Sequence, residues 1–160
     1  LVRKKIKNYV CFRLATVFGH SYRMRSDLLV NNFVYTAIKK NKLTLFEPHF
    51  RRNFIHVRDV VNAILYTMNN FKKLKNDVYN LGLSSANISK LMLAKKIQKK
   101  YKKLKIKIVT NRKDPDKRDY FVSNKKIEKK GFKAKISLED GISELIQIFT
   151  NDKNKIINKY

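Results

Sequence analysis

Residues 9–19 read YVCFRLATVFG, an apolar run of β-branched and aromatic side chains interrupted only by Arg13 and closed by Gly19. A run of this kind suits a strand buried on both faces, as in a parallel sheet. The flanking sequence fits that start. His20–Ser26 is polar and reads as a loop. Asp27 is placed to cap a helix carrying Leu28, Val30, Val34, Ala37 and Ile38 and ending near Asn41. Leu43–Phe46 and Phe54–Val57 read as short strands, and Asp59 is expected to cap a helix with Val61, Ile64, Leu65 and Met68 on one face. Asp77–Leu81 is a strand ended by Gly82, and Ser89 opens a helix with Leu91, Ala94, Ile97 and Tyr101 inward. Ile106–Val109 alternates as a strand, and Pro115 marks a turn. Lys125–Lys130 is a short helix stopped by Gly131. Ser137 and Asp140 form a capping box for a last helix with the stripe Leu138, Ile142, Leu145, Ile146 and Phe149. Strands and helices alternate along the chain, so the class is α/β.

The 160 residues fit one domain, expected over 1–150, with a polar tail at 151–160 that should fray. The chain opens on Leu1 rather than a methionine, and a missing upstream part is the expectation. Residues 1–8 are too charged for a signal peptide, and no apolar run approaches membrane-spanning length. Cys11 is the single cysteine, so no internal disulfide can form and a reduced, cytoplasmic setting is expected. The net charge of +26 would ordinarily point to nucleic acid. Yet 29 of the 38 basic residues are lysine, beside 16 asparagines, and the lysines are dispersed along the chain. That pattern reads as a solvated lysine-rich surface, and no nucleic-acid partner is expected.

Four blocks carry a more specific signal: RLATVFG (Arg13–Gly19), RNFIHVRDVVNAI (Arg52–Ile64), DVYNLG (Asp77–Gly82) and DKRDYFVSNKKIEKKGFKAKISLEDGI (Asp116–Ile142). In order and spacing they resemble the NAD-dependent epimerase/dehydratase family, the extended short-chain dehydrogenase/reductases that act on nucleotide-sugars. The resemblance covers roughly residues 9–148 and implies the carboxyl-terminal part of an extended Rossmann-like fold with a small mixed α/β substrate lobe. It implies NAD or NADP as cofactor, transient oxidation of a sugar carbon, a nucleotide-sugar partner and a homodimer of the complete protein.

The resemblance also assigns residues. Arg52 matches the family arginine that reaches the ligand's diphosphate, a task suited to a permanently charged, fork-shaped donor. The alternative for it is a surface arginine paired with a carboxylate. Arg118 matches a late arginine used against the nucleotide, the alternative being a loop salt bridge with Asp114, Asp116 or Asp119. Arg23, Arg25, Asn31 and Asn32, in and after the loop that leaves the first strand, would face the sugar or nucleotide, since α/β sheets bind ligands at their carboxyl ends. Val17 and Phe18 would lie near the nicotinamide. Thr16 stands where relatives often carry asparagine, which argues against ligand contact there.

Other family features are not found. The glycine loop G-x-x-G-x-x-G needs closely spaced glycines. The four present, Gly19, Gly82, Gly131 and Gly141, are far apart. The catalytic Tyr-x-x-x-Lys should precede Arg13, on a helix whose tail would be Leu1–Lys7. Tyr35/Lys39 and Tyr101/Lys105 match the pattern, but 8 tyrosines and 29 lysines in 160 residues give roughly 1.5 such pairs by chance. Both also lie on the wrong side of Arg13. No catalytic pair is assigned to this chain. His20, His49 and His56 show no metal-ligand spacing. His56 and Asp59 read as structural, a packed histidine and a helix cap. A non-catalytic remnant and a basic nucleic-acid-binding protein remain the alternatives.

Overall fold

The computed structural model describes residues 5–114, 116 and 118–151. The turn expected at Pro115, the start of the expected amino-terminal helix at 1–4 and the tail at 152–160 lie outside the described residues. Ile6 and Lys7 are not helical.

The run at 9–18 is extended, as its composition dictates, but it is two strands rather than one. β1 (Val10–Leu14) pairs in parallel with β5 (Asp77–Leu81), Val10 opposite Asp77 and Leu14 opposite Leu81. β2 (Thr16–Phe18) pairs in parallel with β4 (Arg51–His56), Phe18 opposite His56. Ala15 is the point of exchange, its N–H donating to Leu81 O at 2.9 Å. β4 also pairs in antiparallel fashion with β6 (Asn87–Ser89), and β3 (Lys42–Phe46) pairs in parallel with β7 (Lys105–Val109). The class is α/β, as expected, with mostly parallel pairing.

Three helices close the larger core. α1 (Leu29–Lys40), α4 (Lys90–Lys100) and α6 (Leu138–Asn151) pack on one another. Val30, Val34 and Ala37, Leu93, Ala94 and Ile97, and Ile142, Leu145 and Phe149 meet Phe18, Leu45 and Phe54 there. A second cluster, around Ile55, Ala63, Leu74, Tyr79, Leu81, Ile127 and Phe132, joins β4 and β5 to α2 (Val57–Asn69), α3 (Phe71–Leu74) and α5 (Lys125–Lys129). The capping box is formed: Ser137 Oγ accepts from Asp140 N at 3.0 Å and donates to its carboxylate at 2.6 Å. Ser89 caps α4, accepting from Met92 N, and Gly131 takes φ +104° just beyond α5.

Two expectations are corrected. Asp27 does not cap α1; its carboxylate is taken by Arg25 at 2.7 and 2.8 Å, and Leu28 stands at the cap without a side-chain bond. Asp59 does not cap α2. His56 does, its Nδ1 accepting from Arg58 N at 3.2 Å, while buried Asp59 accepts from the backbone N–H groups of Lys135 and Ile136 at 3.1 and 2.9 Å. The face of Val61, Ile64, Leu65 and Met68 points outward, these side chains being 47 to 68% exposed, whereas Ala63 and Thr67 lie inside. Its spacing is helical, but periodicity tells only that a helix has an apolar face, not what covers it.

Gly141 shows how tightly α6 sits. A Cβ there would lie 2.3 Å from Phe18 Cε2 and 3.0 Å from His56 Cδ2. In an open helix Gly→Ala stabilises by about 1 kcal/mol. Gly141→Ala is instead expected to destabilise by about 1–3 kcal/mol, the cost of overpacking, as read from urea unfolding.

Candidate functional site

A cleft of about 690 Å³ opens at the carboxyl end of β1, where the chain passes into β2, bounded by Leu14–Val17, the start of α1, Arg52 near the beginning of β4, and Asp116, Arg118 and Tyr120. Strand alternation sorts the two adjacent arginines. Arg51 faces outward and binds Asp119 through its N–H (2.7 Å), Nε (3.1 Å) and NH2 (3.3 Å). Arg52 faces inward, its side chain only 4% exposed, and donates from NH1 to Arg51 O at 2.8 Å. Its NH2 lies 3.3 Å from Asp116 O and 3.0 Å from Asp116 Oδ2, and its guanidinium carbon stands 5.3 Å from the Tyr120 ring centre.

Arg118 reaches the same carboxylate from the other side, Nε to Oδ1 at 2.6 Å and NH2 to Oδ2 at 2.7 Å. The hydrogen bonds from Arg118, with that from Arg52, hold the Asp116 carboxyl well below the usual carboxylate range against the opposing effect of burial. So Arg52 and Arg118 converge on one anion. The alternative weighed for Arg118, a loop salt bridge, is also present, and with the same residue.

The other candidates separate. Arg25 borders the large cleft and a second cavity of about 210 Å³ beside it. Val17 borders both, and Thr16 borders the large one in spite of its departure from the family pattern. Phe18 touches the small cavity but is 1% exposed, its ring edge-on to His56 at 5.3 Å, so it is mainly core. Asn31 is buried and fully engaged by the protein: Oδ1 accepts from Gly19 N at 3.1 Å, and Nδ2 donates to Arg25 O at 3.1 Å. It shapes the loop that carries Arg25. Arg23 and Asn32 are exposed and border neither cavity, so the structure does not bring them to the opening.

Sequence reasoning missed Asp116 and Tyr120 as partners of Arg52; both lie within the quoted DKRDY block. Two further carboxylates fix the segment. Asp114 accepts from Lys90 Nζ at 2.6 Å, with Lys90 buried, and its N–H donates to Glu47 at 2.9 Å. Asp119 is held by Arg51. No group of three metal-ligating side chains occurs among the described residues.

Against Phe18, which borders the smaller cavity, His56 is fully buried with Nε2 3.2 Å from Glu144 Oε2, an approach that falls outside hydrogen-bond geometry. Since Nδ1 accepts from Arg58 N, the neutral ring carries its proton on Nε2. Burial lowers the His56 pKa more than Glu144 raises it. The unfolded chain therefore binds the proton more readily than the folded one does. Stability from the neutral ring is complete above the unfolded value of 6.5 and is lost as pH falls from there toward the folded value. Melting temperature is expected to fall between pH 7.5 and pH 5.5, above the range where ordinary carboxylates titrate. A flat profile there would mean that the folded chain binds the proton as readily as the unfolded one, and a rise would mean that the ring is protonated against Glu144.

Comparison with known proteins adds to this geometry. Residues 2–82 match the model of the NAD dependent epimerase/dehydratase family. A GDP-L-colitose synthase of Yersinia pseudotuberculosis is 32% identical over 126 residues, covering 76% of this chain and 40% of that protein. The UDP-glucose 4-epimerase of Thermotoga maritima, solved with UDP-glucose, superposes with a TM-score of 0.75 at 22% identity, covering 91% of this chain and 47% of that one. The dTDP-glucose 4,6-dehydratase of Bacillus anthracis, in complex with NAD, gives a TM-score of 0.72 at 22% identity, over 90% and 45% of the two chains. The chain thus spans less than half the length of each of these relatives. No helix among the described residues is long and apolar enough to cross a membrane.

Proposed function

The chain belongs to the NAD dependent epimerase/dehydratase family, and on that premise we propose that it is the part that grips a nucleotide-sugar, with Arg52 and Arg118 on the diphosphate. The observation that supports this best is the convergence of two guanidinium groups, one buried and one exposed, on a single anion at the mouth of the cleft. A diphosphate offers paired oxygens of the kind these forks bind. The cleft opens at the carboxyl end of the parallel strand β1, and α/β folds take ligands at such strand ends. Arg25 and Val17, which border both cavities, would meet the sugar side of the ligand.

The described residues do not fit a dinucleotide's pyrophosphate. Such a cradle needs glycines whose missing side chains leave room for phosphate. Here the space beside each glycine is taken by a protein side chain: His56 at Gly19, Asn53 at Gly82, Tyr66 at Gly131 and Phe18 at Gly141. NAD or NADP would accordingly be held by the remainder of the family fold, beyond this chain. Two surfaces suit packing by that remainder: the outward apolar face of α2 and the second edge of β1, which pairs only with β5 among the described residues.

Calorimetry on the purified chain tests both halves of the reading. UDP-glucose or GDP is expected to bind, and NAD and NADP are not. A micromolar dissociation constant for either dinucleotide would overturn the placement of the cofactor. Absence of binding by any nucleoside diphosphate or nucleotide-sugar would overturn the grip.

A further inference from the structure

The two guanidinium groups at the cleft already hold an anion, and it belongs to the protein. We propose that the Asp116 carboxylate is an internal stand-in for the ligand's diphosphate, keeping the Arg52–Arg118 pair assembled without ligand and leaving when the ligand arrives. The proposal rests on the reading that the cleft takes a nucleoside diphosphate.

Three observations carry it. The first is the bonding pattern. Arg118 binds both carboxylate oxygens, and Arg52 approaches Oδ2 at 3.0 Å, so both donors that would meet a phosphate are occupied. A carboxylate left in that position would sit against the incoming diphosphate, and like charges at such range repel strongly. Either it moves or the ligand is excluded.

The second is the difference in burial. The Arg52 side chain is 4% exposed and cannot reach solvent, while that of Asp116 is 42% exposed and can turn outward. A buried guanidinium stripped of its partner is unfavourable, so Asp116 should leave only as another anion enters. The third is how the segment is tied. Asp114 is fixed by Lys90 and Asp119 by Arg51, and neither aspartate borders the cleft. Those two ties persist while the middle carboxylate exchanges, so the segment carrying Arg118 stays in place.

The apparent affinity of a site is lowered by the fraction of time it is closed by its own competitor. Removing that competitor should therefore tighten binding. The test is calorimetric titration of the chain and its Asp116→Asn variant with GDP, UDP and inorganic pyrophosphate. Asp119→Asn serves as the control, since it removes the same charge nearby but outside the cleft, while its amide oxygen can still accept from Arg51 N and keep the segment tied. Asp116→Asn is expected to bind all three probes roughly tenfold more tightly than the parent, corresponding to one lost charge-assisted pair. Asp119→Asn is expected to bind no more tightly than the parent. If both variants gain equally, the gain is long-range electrostatics and the stand-in is refuted. If the parent binds but Asp116→Asn binds the same or more weakly, the stand-in is refuted while the nucleotide reading survives. If no protein binds any probe, the nucleotide reading itself fails and the stand-in falls with it. Should Asp116→Asn not fold, a crystal structure of the parent with GDP decides: Asp116 is expected beyond hydrogen-bond distance of both guanidinium groups, and its remaining paired would overturn the proposal.

Discussion

Arg52→Ala is expected to weaken binding of UDP-glucose or GDP by about tenfold to a hundredfold, the worth of one hydrogen-bonded charge contact at roughly 1.5–3 kcal/mol. Arg118→Ala should fall at the lower end of that range, because its side chain is 71% exposed and a solvated pair contributes less. The two changes should not add, since both guanidinium groups meet one anion. Arg52→Lys separates charge from shape. It keeps the positive charge but loses the fork that reaches Arg51 O and Asp116, and the stacking over Tyr120. It should recover only part of the affinity. Arg51→Ala is the control: it removes the exposed side-chain pair with Asp119, outside the cleft, but keeps the backbone N–H bond to it, and should change affinity less than either. If Arg52→Ala and Arg118→Ala both bind as the parent does, the assignment of the cleft is wrong.

Much of this arrangement is legible in the sequence, for identifiable reasons. Arg52 stands out because it sits inside a recurring family block; its neighbours Arg51 and Asn53 are themselves polar. The adjacent Arg51 is set apart only by register. The capping box at Ser137 and Asp140 is legible because both partners are local, three residues apart. Asp116 as the shared partner of two arginines is not legible, since DPDKRD offers Arg118 three acidic neighbours and nothing local chooses among them. The choice is made by tertiary ties: Lys90 takes Asp114 and Arg51 takes Asp119, leaving Asp116 for the cleft.

The division of the run at 9–18 is hidden for a related reason. Val10–Leu14 and Thr16–Phe18 have the same apolar composition, and no glycine or proline marks Ala15. Which strand lies opposite each half is a long-range fact. The outward face of α2 is equally silent: Val61, Ile64, Leu65 and Met68 have the spacing of a core stripe, and only the fold shows that Ala63 and Thr67 face this chain's own core. An exposed apolar stripe of this kind is suited to contact with other protein.

Asp59→Ala is expected to cause a larger loss of stability than any helix cap would explain. A cap contributes about 1 kcal/mol, and asparagine replaces aspartate there almost without loss. Asp59 is 1% exposed and accepts from two backbone N–H groups, those of Lys135 and Ile136, far away in the chain. Truncation leaves both donors without that partner, at about 1–3 kcal/mol each, so a total of about 2–6 kcal/mol is expected. The consequence extends to the site. Residues 135–136 lead directly into Ser137 and α6, and Gly141 of α6 lies against His56 and against Phe18, which borders the smaller cavity. Asp59→Asn should recover part of the loss, because its amide oxygen still accepts, but as a neutral and weaker acceptor. Urea unfolding gives the two free energies, and hydrogen exchange at the Lys135 and Ile136 amides locates them. A loss of about 1 kcal/mol with asparagine fully restoring it, and unchanged exchange at 135 and 136, would return Asp59 to the role of a cap and remove its tie to α6.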